Sequence, residues 1–508
     1  MENSKQRKKG AILSYVSIFV NTIIQLIYTP FLIKMLGQSE YGLYSLVSSI
    51  IGYLAILDLG FGNAIIIYTS KYRATNDNDA EKKLHGMFKV VFYIIGLMAM
   101  LLGVILYLNI ATIFDSAMTS IEIHKTKIMM LILTFNLGMS FIFSIYTSII
   151  NAYEKFVFQK VIAIIGTILK PAIMIPLLLV GMKSITMTIV ITIVNVGIML
   201  ANYIYCRRVL NVNIKYNGFD KQLFKTVFGY SIWLFIGTIV DKVNWSVDNF
   251  VLGAVSGTVA VSIYSVAATL NHLFINLSTA ISSVLLPKIS KMVAKNAKPS
   301  ELTAEFIKVG RLQYYVIFLM CSGLIMFGKQ FINIWVGPAF NESYYVALIL
   351  IIPLCLPLIQ NLGISIMQAK NMYKFRSIIL FCIAIANVII SIPLAKVYGS
   401  IGSAIGTSIS LLVGNVLIIN IYYYKKVGIN ILKFWREILK MTVQFLIPVV
   451  LIIIFMNVVA FNGYLKIFIC GGIYSIIYIL ISYILIMDKY EKNIVDKVIR
   501  KFIKKRGA

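Results

Sequence analysis

Apolar runs of about twenty residues recur from one end of this 508-residue chain to the other, each long enough to cross about 30 Å of hydrocarbon as a helix. They lie near 11–33, 43–69, 87–109, 128–150, 157–180, 184–206, 226–253, 258–286, 311–333, 344–369, 375–395, 401–424, 438–460 and 464–487. The runs are continuous rather than alternating, which excludes β-barrel strands. The first is too long for a cleaved signal, and no small-residue cleavage site follows it. Only 13% of the residues are charged, against about 25% in a soluble domain. The expected fold is an all-α polytopic membrane protein of about fourteen transmembrane helices.

The net charge of +28 would suggest nucleic acid in a soluble protein, but its distribution points elsewhere. With the N-terminus inside, the outer segments hold only Lys34, Lys125, Lys127, Lys183, Lys329, Lys396 and Lys466 of the 47 Lys and Arg. Two more, Lys170 and Lys242, fall within spans, and the rest lie on the cytoplasmic side, as the positive-inside rule requires. An even number of spans then puts both termini in the cytoplasm. The tail residues Lys497, Arg500, Lys501, Lys504, Lys505 and Arg506 alternate with Val498, Ile499, Phe502 and Ile503, the pattern of an amphipathic helix on anionic membrane lipid.

Soluble chemistry finds no support. There is no phosphate-binding GxxxxGK[ST] loop, and no extramembrane segment is long enough for a domain. Cys206, Cys321, Cys355, Cys382 and Cys470 are scattered without a CxxC, so neither a disulfide framework nor a metal site is expected. His85, His124 and His272 are far apart and form no catalytic set. The chain reads as a non-enzyme without a cofactor.

An internal repeat organises the spans. Leu36-Gly37 followed by Tyr44-Ser45-Leu46-Val47 is echoed by Leu252-Gly253 followed by Tyr264-Ser265-Val266-Ala267. Asn151-Ala152, Lys155-Phe156 and Ile175-Pro176-Leu177 are echoed by Gln368-Ala369, Lys374-Phe375 and Ile392-Pro393-Leu394, at a common offset of about 216–220 residues. Six helices per copy keep the membrane orientation. Two six-helix bundles related by a pseudo-two-fold along the membrane normal are therefore expected, with the substrate path between them. The expected division is 1–215 and 216–430 for the bundles, 431–487 for two additional helices and 488–508 for a basic cytoplasmic tail.

Ionisable groups near the bilayer midplane cost at least about 2.5–3.5 kcal/mol and are functional by default. The candidates are Asp58, Lys170, Asp241, Lys242, Asp248 and His272. Lys170 sits too deep to snorkel and should face the bundle interior, with Pro171 and Pro176 giving its helix a bend. A structural role, paired with Asp58 or Asp241, is the alternative. Asp241, Asn244, Trp245 and Asp248 fall at helical spacing on one face and should line a water-filled path. Asp58 lies in Asp58-Leu59-Gly60-Phe61-Gly62-Asn63, where Gly60 and Gly62 allow a hinge or a close helix approach. His272, with Asn271 and Asn276, is read first as interhelical hydrogen bonding. Asn21 and Gln25, one turn apart, either extend a polar lumen or simply bond between helices.

Several stretches together resemble a known family. They are Lys9-Gly10-Ala11-Ile12-Leu13-Ser14-Tyr15, Tyr28-Thr29-Pro30-Phe31-Leu32, Leu36-Gly37-Gln38-Ser39-Glu40-Tyr41-Gly42-Leu43-Tyr44 and Leu57-Asp58-Leu59-Gly60-Phe61-Gly62. Asp241-Lys242-Val243-Asn244-Trp245 with Asp248, and Leu286-Pro287-Lys288-Ile289-Ser290, continue the pattern in the second half. The chain resembles the polysaccharide repeat-unit (O-antigen and capsule) flippases of the multidrug/oligosaccharidyl-lipid/polysaccharide exporter superfamily.

The resemblance implies export of an oligosaccharide carried on undecaprenyl diphosphate, from the cytoplasmic to the outer leaflet of a bacterial cytoplasmic membrane, by ion-coupled alternating access. An intramembrane cation such as Lys170 suits the anionic diphosphate. With it, Asn21, Gln25, Asn244 and Trp245 are the expected lumen residues. Asp58, Asp241 and Asp248 are the candidates for a coupling Na+ or H+, and association with polysaccharide polymerase or assembly proteins is a further expectation. The competing readings are a lipid II flippase, a cation or drug antiporter of the same superfamily and, less favoured for want of a large outer loop, a membrane glycan polymerase.

Overall fold

The computed structural model of the protein describes residues 2–496 except 217, 284–288, 290, 294, 296, 371, 459–462 and 494. At 240–246 and some other helical positions it describes the backbone alone. The described chain is helices and short connections, with no strand among the described residues. Twelve of its segments are long and apolar enough to cross a membrane. One of these, Phe375–Val427, is broken at Gly399 (φ 54°, ψ −132°), so that it covers two of the expected runs. Large apolar side chains stand exposed along the helices, among them Ile27, Leu101, Leu108, Ile193, Val443 and Phe468, as a lipid-facing surface requires.

The chain divides into two compact units. The first comprises Met1–Ser265 and Val388–Ser403. It contains α1 (Glu2–Leu36), α2 (Gln38–Leu54), a 3-10 turn (Ala55–Asp58), α3 (Phe61–Ala74), α4 (Asn78–Phe114) and α5 (Ser120–Ala152). α6 (Phe156–Leu179), α7 (Ser184–Arg208), α8 (Lys221–Val255) and the first part of α9 (Gly257–Ser283) follow. α4 packs along α5, α5 along α7, and α1 along α6. Leu32, Leu36, Met174, Leu178, Met187 and Val190 form one buried cluster of this unit.

Local chemistry sets the helix boundaries. Asp77 accepts from the Ala80 amide to cap α4, and the Asp220 carboxylate accepts from Gln222 and Leu223 to cap α8. Thr119 and Glu122 form a reciprocal capping box at the start of α5. Each satisfies amides that would otherwise be orphaned at a helix start.

The second unit comprises Val266–Asn387 and Ala404–Ala508. Its helices are α10 (Pro299–Val336), α11 (Asn341–Leu358), α12 (Asn361–Ala369), most of α13 (Tyr373–Leu411), α14 (Ile431–Val458) and α15 (Gly463–Ile481). α14 and α15 pack against α10 around Tyr315, Phe327, Met441, Phe445, Tyr474 and Tyr478. Phe318 and Phe445 stack with centroids 4.8 Å apart, and Phe445 and Tyr478 at 4.9 Å. The basic tail residues Lys497 to Arg506 lie outside the described residues.

Candidate functional site

Lys170 projects from an otherwise apolar stretch of α6 and is half-buried. No carboxylate among the described residues pairs with it, and Asp58 in particular does not. The side chain of its other expected partner, Asp241, lies outside the described residues, as do those of Lys242, Asn244 and Trp245. α6 runs through both Pro171 and Pro176 without a break. Each proline nonetheless lacks an N–H, so the carbonyls of Thr167 and Ala172 lose their usual donors close to the lysine. Asn21 is exposed and Gln25 half-buried on α1, the helix that packs along α6.

Asp58 ends the 3-10 turn between α2 and α3. Leu59 (φ 53°) and Gly60 (φ 73°) both take the left-handed conformation and form the break itself, and the Gly60 amide donates to the Asp58 carboxylate. A left-handed leucine is costly, by about 1–2 kcal/mol, so the break is held by its surroundings. Gly62 lies inside α3, where an added side-chain carbon would make only ordinary contact, 3.4 Å from the Ser148 hydroxyl and 3.9 Å from the Asp58 carboxylate oxygens.

Asp248 is buried, 2% exposed. The Tyr264 hydroxyl donates to its Oδ2 at 2.6 Å and the Ser403 hydroxyl to its Oδ1 at 2.7 Å. Next to it in sequence, Asn249 donates to Ser49 at 2.9 Å. Lys170, Asp58 and Asp248 are not joined to one another by any described hydrogen bond or ion pair. His272 is exposed, while Asn271 beside it is buried.

A second polar cluster gathers where α2, α5, α7 and α9 begin. Glu40 is buried and receives the Lys125 ammonium, the Ser184 hydroxyl and, at 3.3 Å, the Ser184 amide. Glu122 Oε1 accepts from Ser39 at 2.5 Å and from Thr258 at 2.6 Å. The backbones close in as well, since a Cβ on Gly42 would stand 1.9 Å from the Thr258 carbonyl oxygen. Gly37 (φ 82°) before α2 and Gly257 (φ 84°) opening α9 both take positive φ.

With this geometry in place, the chain was compared with known proteins. The model of the family described as "Polysaccharide biosynthesis protein" matches residues 8–293. The chain belongs to the polysaccharide biosynthesis protein family. A putative O-antigen transporter of Shigella flexneri is 22% identical over 428 residues, 81% of this chain and 96% of that protein. A capsular polysaccharide biosynthesis protein of Staphylococcus aureus is 29% identical over 234 residues, 44% of this chain and 55% of that one. Among solved structures, lipid II flippase MurJ in an inward closed conformation matches with a TM-score of 0.73 and 18% identity, over 93% of this chain and 98% of that one.

Membership of that family agrees with the resemblance of the N-terminal residues, and the match to MurJ shows a shared fold. Sequence reasoning gave no site role to Glu40, Glu122, Lys125, Ser184, Thr258, Tyr264 or Ser403. Glu40 and Tyr264 stood in quoted motifs, but apart from Tyr264 and Ser403 these residues lie at the starts of spans, where charges and hydroxyls look like ordinary boundary residues.

Proposed function

We propose that this protein carries an oligosaccharide repeat unit on undecaprenyl diphosphate from the cytoplasmic to the outer leaflet of a bacterial cytoplasmic membrane, for cell-surface polysaccharide assembly. The observation that carries the proposal is Lys170, half-buried in an apolar helix and without a described acidic partner. A structural lysine at such a depth would be paired, because an isolated buried charge is costly. A lysine held open for an anionic headgroup lowers that group's crossing barrier by charge pairing. Asn21 and Gln25 on the neighbouring helix, with Asn244 and Trp245 on α8, supply polar and aromatic contacts.

Alternating access is driven by Na+ or H+ in this reading, with Asp58, Asp241 and Asp248 as coupling groups. One charge moving down 100 mV yields about 2.3 kcal/mol. The cluster at the starts of α2, α5 and α9 closes the outer end, and polymerase or assembly proteins receive the product there. Both termini face the cytoplasm. The test is depletion of the protein in its host with sugar synthesis running, followed by labelling of lipid-linked oligosaccharide with a membrane-impermeant sugar probe. Wild type should restore outer-leaflet labelling and Lys170→Ala should not. Outer-leaflet labelling at the wild-type level in Lys170→Ala would remove the lysine from the path, and normal labelling in the depleted cells would discard the flippase reading.

A further inference from the structure

A cavity of about 290 Å³ opens at the end of the first unit where α3 meets α4, α5 meets α6 and α7 meets α8. Asn78, Glu81, His85, Tyr153, Asn211 and Asn213 line it. Its floor is polar yet buried, with Glu81 7% and His85 2% exposed. The floor is also fixed. Tyr153 donates to Glu81 Oε1 at 2.8 Å, the Arg73 guanidinium lies 3.4 Å from the Tyr153 ring centroid, and His85 Nε2 is bonded to Thr69 Oγ1 at 2.9 Å.

The wall is equally constrained. The Leu210 amide donates to Tyr205 and the Val212 amide to Cys206, each at 3.1 Å. Between them Asn211 takes φ 55°, a conformation that asparagine tolerates better than most residues. Further along the same segment, the Lys215 carbonyl passes so close to α4 that a Cβ on Gly86 would stand 2.2 Å from it. The cavity is thus formed before any ligand arrives, and its volume is near the lower edge of small-molecule sites.

We propose that this cavity is a recognition subsite for a hydroxyl- or N-acyl-bearing sugar ring of the lipid-linked substrate, engaged on the cytoplasmic side before translocation. The proposal rests on the flippase reading and adds where the glycan is read. Three carboxamides each donate and accept, the Glu81 carboxylate accepts, and Lys82 at the rim donates. That mixture matches neighbouring hydroxyls and an amide. A phosphate would meet the Glu81 carboxylate and only one lysine of the lining. A diphosphate is better matched by the basic residues at the same helix ends, Lys71 in the last turn of α3, Lys155 capping α6, and Arg207 and Arg208 ending α7.

The experiment uses the full chain in lipid nanodiscs and ligand-observed saturation-transfer NMR with free glucose, galactose, N-acetylglucosamine and N-acetylgalactosamine. At least one sugar should receive transfer from the wild type. Asn78→Leu/Asn213→Leu, two exposed positions, should weaken that binding about tenfold, the loss of two hydrogen bonds, with the thermal transition unchanged. Transfer to none of the four, or transfer equal in the variant, overturns the subsite. Flipping is measured on the same preparations. A wild type that flips substrate but gives no transfer refutes the cavity alone, whereas a wild type that flips nothing refutes the flippase reading beneath it.

Discussion

Arg311 on α10 grips Glu491 with two parallel hydrogen bonds, Nε to Oε1 at 2.7 Å and Nη2 to Oε2 at 2.8 Å. Glu491 is 1% exposed and also accepts from the Tyr315 hydroxyl at 3.0 Å and from the Asp488 amide at 2.9 Å. Arg311 Nη2 reaches on to the Ile486 carbonyl at 3.1 Å. The turn after the last membrane helix is thereby tied to α10, which gives α14 and α15 a fixed seat within the second unit. Glu491→Ala leaves the half-buried guanidinium with only the Glu437 carboxylate, 3.7 Å from its Nη1, and should cost about 1.5–3 kcal/mol, the range for hydrogen bonds to a charged group. Arg311→Lys, which cannot make the fork, should lose less. Thermal unfolding in detergent reads both, and a Glu491→Ala transition at the wild-type temperature would refute the latch.

Gly42 and Gly37 lie five residues apart and should respond differently to alanine. At Gly42 the added carbon would meet the Thr258 backbone oxygen at 1.9 Å, and no side chain can swing aside to relieve it. Gly42→Ala should destabilise by about 1–3 kcal/mol, as overpacking does, and abolish flipping. Gly37 has open space, and its only difficulty is φ 82°. Gly37→Ala should therefore cost about 1–2 kcal/mol of backbone strain and keep measurable transport. Equal loss of transport in both would mean that the close approach is not what matters.

Asp248 receives two hydroxyl donors, from Tyr264 and Ser403. Asp248→Asn preserves the shape, but the new amide group faces a hydroxyl where an acceptor had been. Hydrogen bonds to a charged group contribute about 1.5–3 kcal/mol, so some stability is lost. The decisive readout is energetic coupling. Flipping in proteoliposomes by Asp248→Asn should lose its response to an imposed Na+ or H+ gradient while slow, gradient-independent exchange persists. A retained gradient response would strike Asp248 from the coupling groups.

The spans could be read from the sequence because a twenty-residue apolar run has few other uses, and twelve segments among the described residues are helices long and apolar enough to cross a membrane. The break at Leu59–Gly60 was legible in the glycine pair, although sequence could not say that Gly60 turns the chain while Gly62 stays inside α3. The Glu40 cluster was not legible. Its partners Lys125 and Ser184 are 85 and 144 residues away, and each looks like an ordinary charge or hydroxyl at a span end. Arg311 and Glu491 were hidden likewise, one at the start of a run and the other in a segment that reads as basic tail. The cavity beside Glu81 depends on three connections meeting at one end of the unit, which no local pattern encodes.

Glu122 does two jobs that substitution can separate. Its Oε2 caps α5 by accepting from the Thr119 amide and hydroxyl, each at 2.9 Å, while its Oε1 holds Ser39 and Thr258. Glutamine serves as well as glutamate in a capping box, so Glu122→Gln should leave the start of α5 intact. With its carbonyl oxygen kept on the cap, the glutamine puts an NH2, a donor, where Oε1 had accepted from both hydroxyls, so those two bonds are lost or must reverse. The Ser39 and Thr258 hydroxyls are 3.5 Å apart, close enough for Ser39→Cys/Thr258→Cys, in a chain cleared of its five native cysteines, to be oxidised across the gap. If the transport cycle opens this end, the disulfide should stop flipping and a reductant restore it. Adding Glu122→Gln should slow the cross-linking by letting the two helix starts part more often. Full transport by the oxidised protein would mean that this contact stays closed throughout the cycle, and the substrate would have to leave by another way.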